Sequence, residues 1–529
     1  MHLTTLFLAG ITAVSIAVLP VAYARTLRLA LSDDATTLDP HVANLAINNR
    51  LLNNIYEALV RRDKDFQIVP SLAVSWTQPD AKTWRFKLRE GVKFHDGSAF
   101  TAEDVVFSAA RVLHPLSSFK DALQGVASAK RVDDLTVEFS MTEPNPVMLQ
   151  HLLSFNIMSK AWCIKRNAQN PQNYTDKEDS VASRLSNGTG PFMLKSRAPD
   201  VKTVLVAHPQ WWNRAAADRG NVSAVEWTPI KQNSTRMAAL MSGSVDIVID
   251  PPLQDRARFK NMPDMKLQVG SEARVLYFAL DQSRDTLLYG DTYGQNAGKN
   301  PFRDLRVRQA IAHAMDGDLI IDKVNRGYGR PTGLSIGKEV QGYAPALDKR
   351  LPVDIPRAKA LMADAGYAKG FEVTLDCLNQ SPFGEHCQAL ASQLAPIGIK
   401  LNINMVAFSN IFPKLRKFDT SFYVMGFGSS TMDAYQLLNA LVQSAGANTG
   451  ESNWGRYSNA KLDALINRIK GELDVTTRNT LIAQALTIAR DDLAIIPYLQ
   501  VVQAWAMRKN IDAPYIADNK PYWYRFSVN

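Results

Sequence analysis

Residues 83–97 read Thr83-Trp84-Arg85-Phe86-Lys87-Leu88-Arg89-Glu90-Gly91-Val92-Lys93-Phe94-His95-Asp96-Gly97, and this stretch decides the fold. Its first half alternates apolar and cationic side chains. This period of two places the apolar side chains on one face of a strand and the cations on the other. Asp96-Gly97 is a turn signal. We therefore predict a half-buried strand that is followed by a tight turn.

A helix is predicted to start directly after this turn, in the run Phe100-Thr101-Ala102-Glu103-Asp104-Val105-Val106-Phe107. Thr101 and Asp104 have the spacing of a capping box, in which the hydroxyl accepts from a helix amide and the carboxylate reaches back. The apolar residues from Val105 onward would pack the helix against the strand.

The chain has 529 residues, too many for one hydrophobic core, so two or three domains are expected. Apolar residues make up 46% and charged residues 21%, which is ordinary for a globular protein. The net charge is +9, but the cations are scattered. This distribution predicts a solvated basic surface and no nucleic-acid partner.

The first residues are typical of an export signal. Residues 3–21 are apolar and end in Ala22-Tyr23-Ala24, which predicts a signal peptide that is cleaved after Ala24. The alternative is an uncleaved membrane anchor, against which Pro20 and the A-x-A pattern argue. No Cys follows the apolar run, so a lipoprotein is not expected, and no second run approaches the roughly 20 residues that cross a bilayer. We expect a periplasmic protein.

The chain contains three cysteines. Cys377 and Cys387 are close in sequence, and in an oxidising compartment a disulfide between them would stabilise the fold by about 2–3 kcal/mol. The alternative is three buried thiols, with Cys163 as the third. No Cys or His spacing suggests a metal site, and we predict neither a metal nor a cofactor.

Strands and helices alternate between about residues 350 and 430. Strands are predicted at 371–378, 399–406 and 422–427, and helices at 354–365 and 385–394. This alternation predicts an α/β lobe with a partly parallel sheet. Elsewhere we predict strands at 27–31 and 245–249, helices at 50–59, 234–242 and 305–315, and a loop at 174–187. No linker rich in Pro, Gly or Ser is present, so domain boundaries should lie in compact crossings.

Several short motifs occur in a fixed order along the chain. They are Leu38-Asp39-Pro40-His41, Ile55-Tyr56-Glu57-Ala58-Leu59, Val69-Pro70-Ser71-Leu72-Ala73, the opening stretch, Gly188-Thr189-Gly190-Pro191-Phe192, Pro301-Phe302-Arg303-Asp304-Leu305-Arg306-Val307-Arg308-Gln309-Ala310-Ile311, Ala358-Lys359-Ala360-Leu361-Met362-Ala363-Asp364-Ala365-Gly366-Tyr367 and Asn453-Trp454-Gly455-Arg456-Tyr457-Ser458-Asn459. As an ordered set they resemble the bacterial extracellular solute-binding proteins of family 5. These proteins capture a ligand outside the inner membrane and deliver it to an ATP-driven importer.

The resemblance implies an α/β, two-lobed periplasmic-binding-protein fold of type II, in the large peptide-binding cluster, with an extra inserted domain. Domain I would comprise residues 25–65, 186–277 and 499–529, domain II residues 66–185, and domain III residues 278–498. Ligand would be enclosed between domains I and III. The implied partners are this ligand and, transiently, the membrane permease of an ABC importer, and we expect a monomer.

The resemblance implies ligand residues in one run of domain III. In peptide-binding relatives this run has Gly-Trp, followed by an acid that pairs with the α-ammonium of the ligand. Here Phe427 stands at the Trp position and Ser430 where the acid is expected. A neutral hydroxyl cannot supply a charge-assisted bond to an ammonium, although Asp433 lies close enough in sequence to substitute. The candidate ligand residues of this run are Met425, Gly426, Phe427, Gly428, Ser429, Ser430 and Asp433.

Three further candidates come from other parts of the chain. Asn44, Leu45 and Ala46 match a family loop that lines the cleft from domain I. Phe119 matches an aromatic residue from domain II, and Trp454 could stack on the ligand. For these residues the alternatives are an exposed connection and buried core aromatics.

These observations predict a receptor for a short peptide or a peptide-like solute. Within this class the alternative is a non-peptide solute, such as an opine-like sugar, a metal chelate, haem, glutathione or a bile acid. Two other classes stay open, namely an exported hydrolase and a structural or chaperone-like protein. We predict no catalytic residue, because no H-E-x-x-H or G-x-S-x-G pattern occurs.

Overall fold

The computed structural model describes residues 25–174, 180–447 and 449–529. The predicted signal peptide, residues 1–24, lies outside this range, as does part of the predicted loop at 174–187. None of the described helices is long and apolar enough to cross a bilayer.

Most of the strands belong to one large sheet. In the first half of the chain they are β1 (Arg25–Leu31), β2 (Val60–Arg62), β3 (Ile68–Pro70), β4 (Ala73–Asp80), β5 (Thr83–Leu88), β6 (Val126–Asp133), β7 (Thr136–Met141), β8 (Phe192–Ala198), β9 (Lys202–Ala207), β10 (Val222–Pro229) and β11 (Ile247–Ile249). In the second half they are β12 (Met265–Leu280), β13 (Gly290–Thr292), β14 (Arg330–Pro331), β15 (Phe371–Leu378), β16 (Ile399–Val406), β17 (Phe422–Gly428), β18 (Ile496–Arg508), β19 (Ile511–Asp512) and β20 (Ser527–Val528).

The α-helices cover the faces of these sheets. They are α1 (Ala46–Leu52), α2 (Ala102–Leu113), α3 (Met148–Leu152), α4 (Lys160–Lys165), α5 (Val181–Arg184), α6 (Asn233–Ser242), α7 (Leu253–Arg256), α8 (Leu305–Ala314), α9 (Gly317–Lys323), α10 (Ile355–Asp364), α11 (Phe383–Leu394), α12 (Phe408–Arg416), α13 (Ala434–Leu437), α14 (Ala460–Gly471) and α15 (Val475–Asp491).

One mixed sheet runs through both lobes in the order β13-β15-β17-β12-β18-β11-β1-β10-β9-β8, with β14 on β18 and β16 on β15. β1 and β8 to β11 form the sheet of the first lobe, and β13 to β17 form that of the second. The long antiparallel pair β12 and β18 belongs to both. The register of this pair shifts between Ser271 and Val275, where the chain passes from one lobe to the other. The two sheets are therefore joined through a continuous pair of strands.

The opening stretch forms β5 in a separate four-stranded sheet of order β4-β5-β7-β6. Trp84, Phe86 and Leu88 are buried, whereas Arg85 and Lys87 are exposed, which confirms the predicted alternation. The turn residue Gly97 has φ +84°, a left-handed conformation that glycine adopts at little cost.

The predicted helix follows as α2. The Asp104 carboxylate accepts a hydrogen bond from the Thr101 amide at 2.9 Å, so the predicted reach back to the N-cap is confirmed. The opening stretch is thus part of the scaffold of the inserted sheet.

The second lobe buries apolar side chains on both faces of its sheet. Leu276, Phe278 and Leu280 of β12 pack in one cluster, and Tyr277 and Ala279 pack in another on the opposite face. β15, β16 and β17 are parallel, so the predicted α/β lobe with a partly parallel sheet is confirmed.

Three local predictions were wrong in part. The helix predicted at 50–59 ends at Leu52, because Asn54 donates its side-chain amide to the Arg50 carbonyl and the Ile55 carbonyl accepts from Gly190 instead. The strand predicted at 245–249 starts only at Ile247, and the Asp246 carboxylate instead binds Arg28 at 2.6 Å. The loop predicted at 174–187 contains the short helix α5.

Cys377 and Cys387 are joined by a disulfide with an S–S distance of 1.98 Å. The bond links the end of β15 to α11 and so closes the turn between them. Cys163 is a buried free thiol.

Candidate functional site

The carboxyl ends of the parallel strands in the second lobe form the candidate site. β16 pairs with one side of β15 along its whole length, and β17 pairs with the other side at Leu375 and Asp376. The chain therefore passes from β15 to β16 on one side of β15 and then to β17 on the other side. Ligands of open α/β sheets bind in the crevice at such a topological switch point.

The run 425–433 continues from β17 into this crevice. Met425 is buried opposite Tyr277, and Gly426 lies opposite Leu276. A Cβ atom on Gly426 would come within 2.5 Å of the Leu276 Cδ2 atom, so this position excludes every larger residue unless Leu276 moves. Gly428 is exposed and lies opposite Arg274, whose side chain runs along it. The glycines thus keep the end of β17 close to β12.

Ser429 and Ser430 differ in their surroundings. Ser429 is buried, donates to the Gln436 side-chain oxygen at 3.0 Å and accepts from the Asp433 amide at 3.1 Å. Ser430 is exposed and accepts from the Gln436 side-chain amide at 2.8 Å. The Ser430 hydroxyl proton is thus available to a ligand acceptor. Gln436 was not foreseen, because no motif singles out a glutamine in a helical turn.

Asp433 does not offer a free carboxylate. Arg478 of α15 donates to both of its oxygens, at 2.7 and 2.8 Å, and the Tyr435 amide donates to one of them at 2.8 Å. Both side chains of the pair are almost fully buried. The loop therefore directs the only acid of the run 425–433 into the core, where it caps α13, and leaves no acid of this run facing the crevice. Arg478 was also not foreseen, since it is 45 positions away.

The two aromatic candidates lie at different depths. Phe427 is partly exposed and packs against the cluster that contains Tyr277. Trp454 is only 7% exposed, and its ring centroid lies 6.0 Å from those of Phe412 and Tyr423. Phe427 can therefore touch a ligand directly, whereas Trp454 supports the site from below.

The candidates of the first lobe and the inserted sheet are adjacent to one another. Asn44, Leu45 and Ala46 are exposed, with Leu45 42% exposed; Asn44 and Leu45 precede α1, and Ala46 is its first residue. Phe119 is buried in the core of the inserted sheet. The residues just before it brace the loop, because the Ser118 hydroxyl donates to the Val42 carbonyl at 2.6 Å.

A buried polar cluster anchors this loop. Arg111 donates to both carboxylate oxygens of Asp39, at 2.9 and 2.7 Å, and to His41 Nδ1 at 3.1 Å. His41 Nε2 in turn donates to the Asn156 carbonyl. Burial, together with the neighbouring Arg111 cation, lowers the pKa of His41 to about 4. Burial alone would raise the pKa of Asp39, but the Arg111 guanidinium holds it below its usual range.

The inserted region also contacts the second lobe. The Glu143 carboxylate lies 2.6 Å from the Lys470 ammonium, and the Gln150 amide donates to Gln341 at 3.1 Å. Phe66, at the tip of the β2–β3 hairpin, packs against the cluster that contains Tyr277. These contacts bridge the two sides that a closing cleft would bring together.

Comparison with known proteins bears on this geometry. Residues 67–449 match the family model described as "Bacterial extracellular solute-binding proteins, family 5 Middle". Heme-binding protein A of Haemophilus influenzae is 28% identical over 491 residues, which covers 85% of this chain and 82% of that protein. The glutathione-binding protein GsiB of Pectobacterium atrosepticum is 26% identical over 475 residues, with coverages of 87% and 86%.

A solved structure agrees with the fold. HbpA2 from Haemophilus parasuis superposes with a TM-score of 0.81 at 23% identity, over 96% of this chain and all of that one. The predicted two-lobed α/β fold is thereby confirmed. Since the family model spans most of the chain, the protein belongs to family 5 of the bacterial extracellular solute-binding proteins.

Proposed function

We propose that this protein is the receptor of an ABC importer for a peptide-sized solute that is not anchored through an α-ammonium group at the end of β17. One observation supports the lack of an anchor for an α-ammonium group. Ser430 stands where the resemblance places the acid of peptide-binding relatives, and the only acid of the run 425–433, Asp433, is bound by Arg478 in the core. The Ser430 hydroxyl, the Gln436 amide and the half-exposed Arg274 side chain beside Gly428 remain for the ligand at this point.

The names of the relatives fit such a solute. One is described as binding haem, which has no ammonium group, and the other as binding glutathione. Asn44, Leu45 and Ala46 would contact the solute from the first lobe, and Phe427, Gly428 and Ser430 from the second. Met425, Gly426, Ser429, Asp433, Phe119 and Trp454 would shape the site without contacting the solute.

The experiment compares tripeptides with free and acetylated N-termini on protein that was purified without refolding. We expect both forms to bind within about threefold of each other, because no carboxylate pairs with the ammonium. The variant S430D should gain a preference of about tenfold for the free amine, and the neutral variant S430N should not. A wild-type protein that requires the free amine would contradict the proposal.

Mass spectrometry of the solute released from the native protein identifies its class. Release of an intact solute supports the receptor, whereas cleavage of bound solute during incubation would favour the exported hydrolase.

We further propose that the protein is exported and works in the periplasm, with residues 66–185 as the inserted domain and the lobes divided at residues 277 and 499. N-terminal sequencing of the exported protein should start at Arg25. A start at Met1 would indicate the uncleaved anchor.

A further inference from the structure

A cavity of about 460 Å³ lies in the second lobe at the start of β18. Sites for small molecules have a size of this order and a mostly apolar lining, with a few polar groups that orient the ligand. The apolar side chains that line this cavity are Ala312, Met315, Leu351, Leu493, Ile496 and Pro497. The cavity therefore has the general properties of a binding site.

The cavity is separate from the candidate ligand site. Of the described residues that line it, none belongs to the run 425–433. In the sheet β12 lies between β17 and β18, and Ile496 is opposite Phe278, whereas Gly428 is opposite Arg274. The two places are therefore on different sides of β12 and about 14 Å apart along it. A molecule in the cavity would not take the place of the imported solute.

One wall of the cavity comes from residues 346–351, and hydrogen bonds hold this wall in place. The Asp348 side chain is only 6% exposed, and its carboxylate accepts from the Gly333 amide at 2.7 Å. Arg490, near the end of α15, donates to the Leu347 carbonyl at 3.3 Å. The cavity is therefore preformed, as is usual for sites that bind small molecules.

The charged groups of the lining are mainly cationic. Lys349, Arg350 and Arg490 line the cavity, together with a single acid, Asp491. Arg350 pairs with Asp318 at 2.6 Å, and Arg490 pairs with Asp491 at 2.7 Å. Lys349 is exposed and forms no ion pair with a carboxylate of the residues that the structure describes. An anionic group of a ligand can therefore pair with the Lys349 ammonium without displacing another partner.

Apolar side chains lie close to this cation. Leu351 is two residues from Lys349, lines the same cavity and is 38% exposed. Met315, Leu493 and Ile496 line the cavity as well and are buried. Apolar surface that a ligand removes from water here is worth about 25 cal/mol per Å². The lining thus matches a ligand that has an apolar chain and an anionic end.

We propose that this cavity is a second binding site, which takes a small amphiphilic carboxylate of the fatty-acid type. The apolar chain lies against Met315, Leu493 and Ile496, and the carboxylate pairs with the Lys349 ammonium. The inference goes beyond the proposed receptor function and does not depend on the identity of the imported solute.

The test measures the binding of decanoate to the full mature chain by titration calorimetry, below the concentration at which decanoate forms micelles. We expect decanoate to bind at least about tenfold more tightly than butanoate, because the longer chain removes more methylene groups from water. Decyltrimethylammonium has the same chain and a positive charge, and it should bind at least about threefold more weakly than decanoate.

Two variants locate the site. Ala346 is exposed and lines the cavity, so A346W fills the cavity and should abolish the binding of decanoate. The matched control A363W, at an exposed alanine of α10 that does not line the cavity, should keep wild-type affinity. K349M removes the charge and should weaken the binding of decanoate by about threefold, whereas K359M, at an exposed lysine of α10, should not.

Three results would overturn the inference. They are a wild-type protein that does not bind decanoate, an unchanged affinity in a folded A346W variant, and equal binding of decanoate and decyltrimethylammonium. If A346W does not fold, K349M decides, because an affinity equal to that of K359M contradicts the proposed ion pair. Retention of wild type, but not of K349M, on vesicles that contain phosphatidylglycerol would assign the cavity to a membrane lipid, which also overturns the inference.

Discussion

At the residue scale, the sequence singles out the run 425–433 as a candidate ligand site but does not predict the partners of its side chains. The comparison of motifs drew attention to Ser430 and Asp433 because they stand near an expected acid. It could not show that Arg478 pairs with Asp433 or that Gln436 donates a hydrogen bond to Ser430. Neither contact produces a recognisable periodicity or motif spacing in the sequence. Ion pairs between distant elements depend on the tertiary fold alone.

The Asp433–Arg478 pair gives a prediction about stability. D433N keeps an oxygen to cap α13 but leaves the buried Arg478 cation unpaired, so it should lower the free energy of unfolding by about 3–5 kcal/mol in urea titrations. The double variant D433L/R478M removes both charges and should recover much of this loss. A single variant as stable as wild type would show that the pair is not desolvated.

His41 gives a prediction about pH. Its pKa is about 4 in the folded protein and 6.5 when unperturbed, so between these values the unfolded chain binds a proton that the folded protein does not. The contribution of His41 to stability is therefore complete above pH 6.5 and falls by about 3 kcal/mol as the pH drops to 4. Burial also lowers the pKa of His95 to about 3 and that of His386 to about 4, so urea titrations should show a loss in both proteins that is smaller in H41Q by the share of His41. An equal dependence of the free energy of unfolding on pH in both proteins would contradict the assignment of this contribution to His41.

At the element scale, the prediction was most accurate where hydrophobic periodicity is strong. β15 and β16 were predicted to the residue, because β15 is a largely buried apolar run and the edge strand β16 alternates apolar and polar side chains along most of its length. The helix predicted at 50–59 ends early because the Asn54 side-chain amide donates a hydrogen bond to a helix carbonyl. The helical spacing of the apolar residues does not reveal this contact.

The turn between β15 and α11 is closed by the Cys377–Cys387 disulfide. A C377S/C387S variant should lose about 2.7 kcal/mol of stability, because the unfolded chain regains the entropy of a ten-residue loop. Unfolding of the oxidised wild type and of the variant, each with and without dithiothreitol, measures this. The reductant should destabilise wild type alone, and an equal effect on both proteins would implicate another group.

At the scale of the whole molecule, the number of lobes and the inserted sheet followed from length and motif order. The shared sheet could not be predicted, because nothing in the sequence of β12 or β18 shows that each strand belongs to two lobes. The contacts between the inserted region and the second lobe are likewise visible only in the folded molecule.

The Glu143–Lys470 contact predicts an effect on closure. Both side chains are about half exposed, so E143K or K470E should weaken the affinity for the recovered solute by no more than about threefold, and only at low salt. The double variant E143K/K470E should restore wild-type affinity. Single variants that match wild type at low ionic strength would show that the pair does not contribute to the closed form.

The continuous pair β12 and β18 has a mechanical consequence. Two hydrogen-bonded strands resist stretching but twist readily, so the lobes can rotate against each other while the ribbon between them stays intact. Closure by rotation about this ribbon needs no flexible linker between the lobes to be ordered on each cycle.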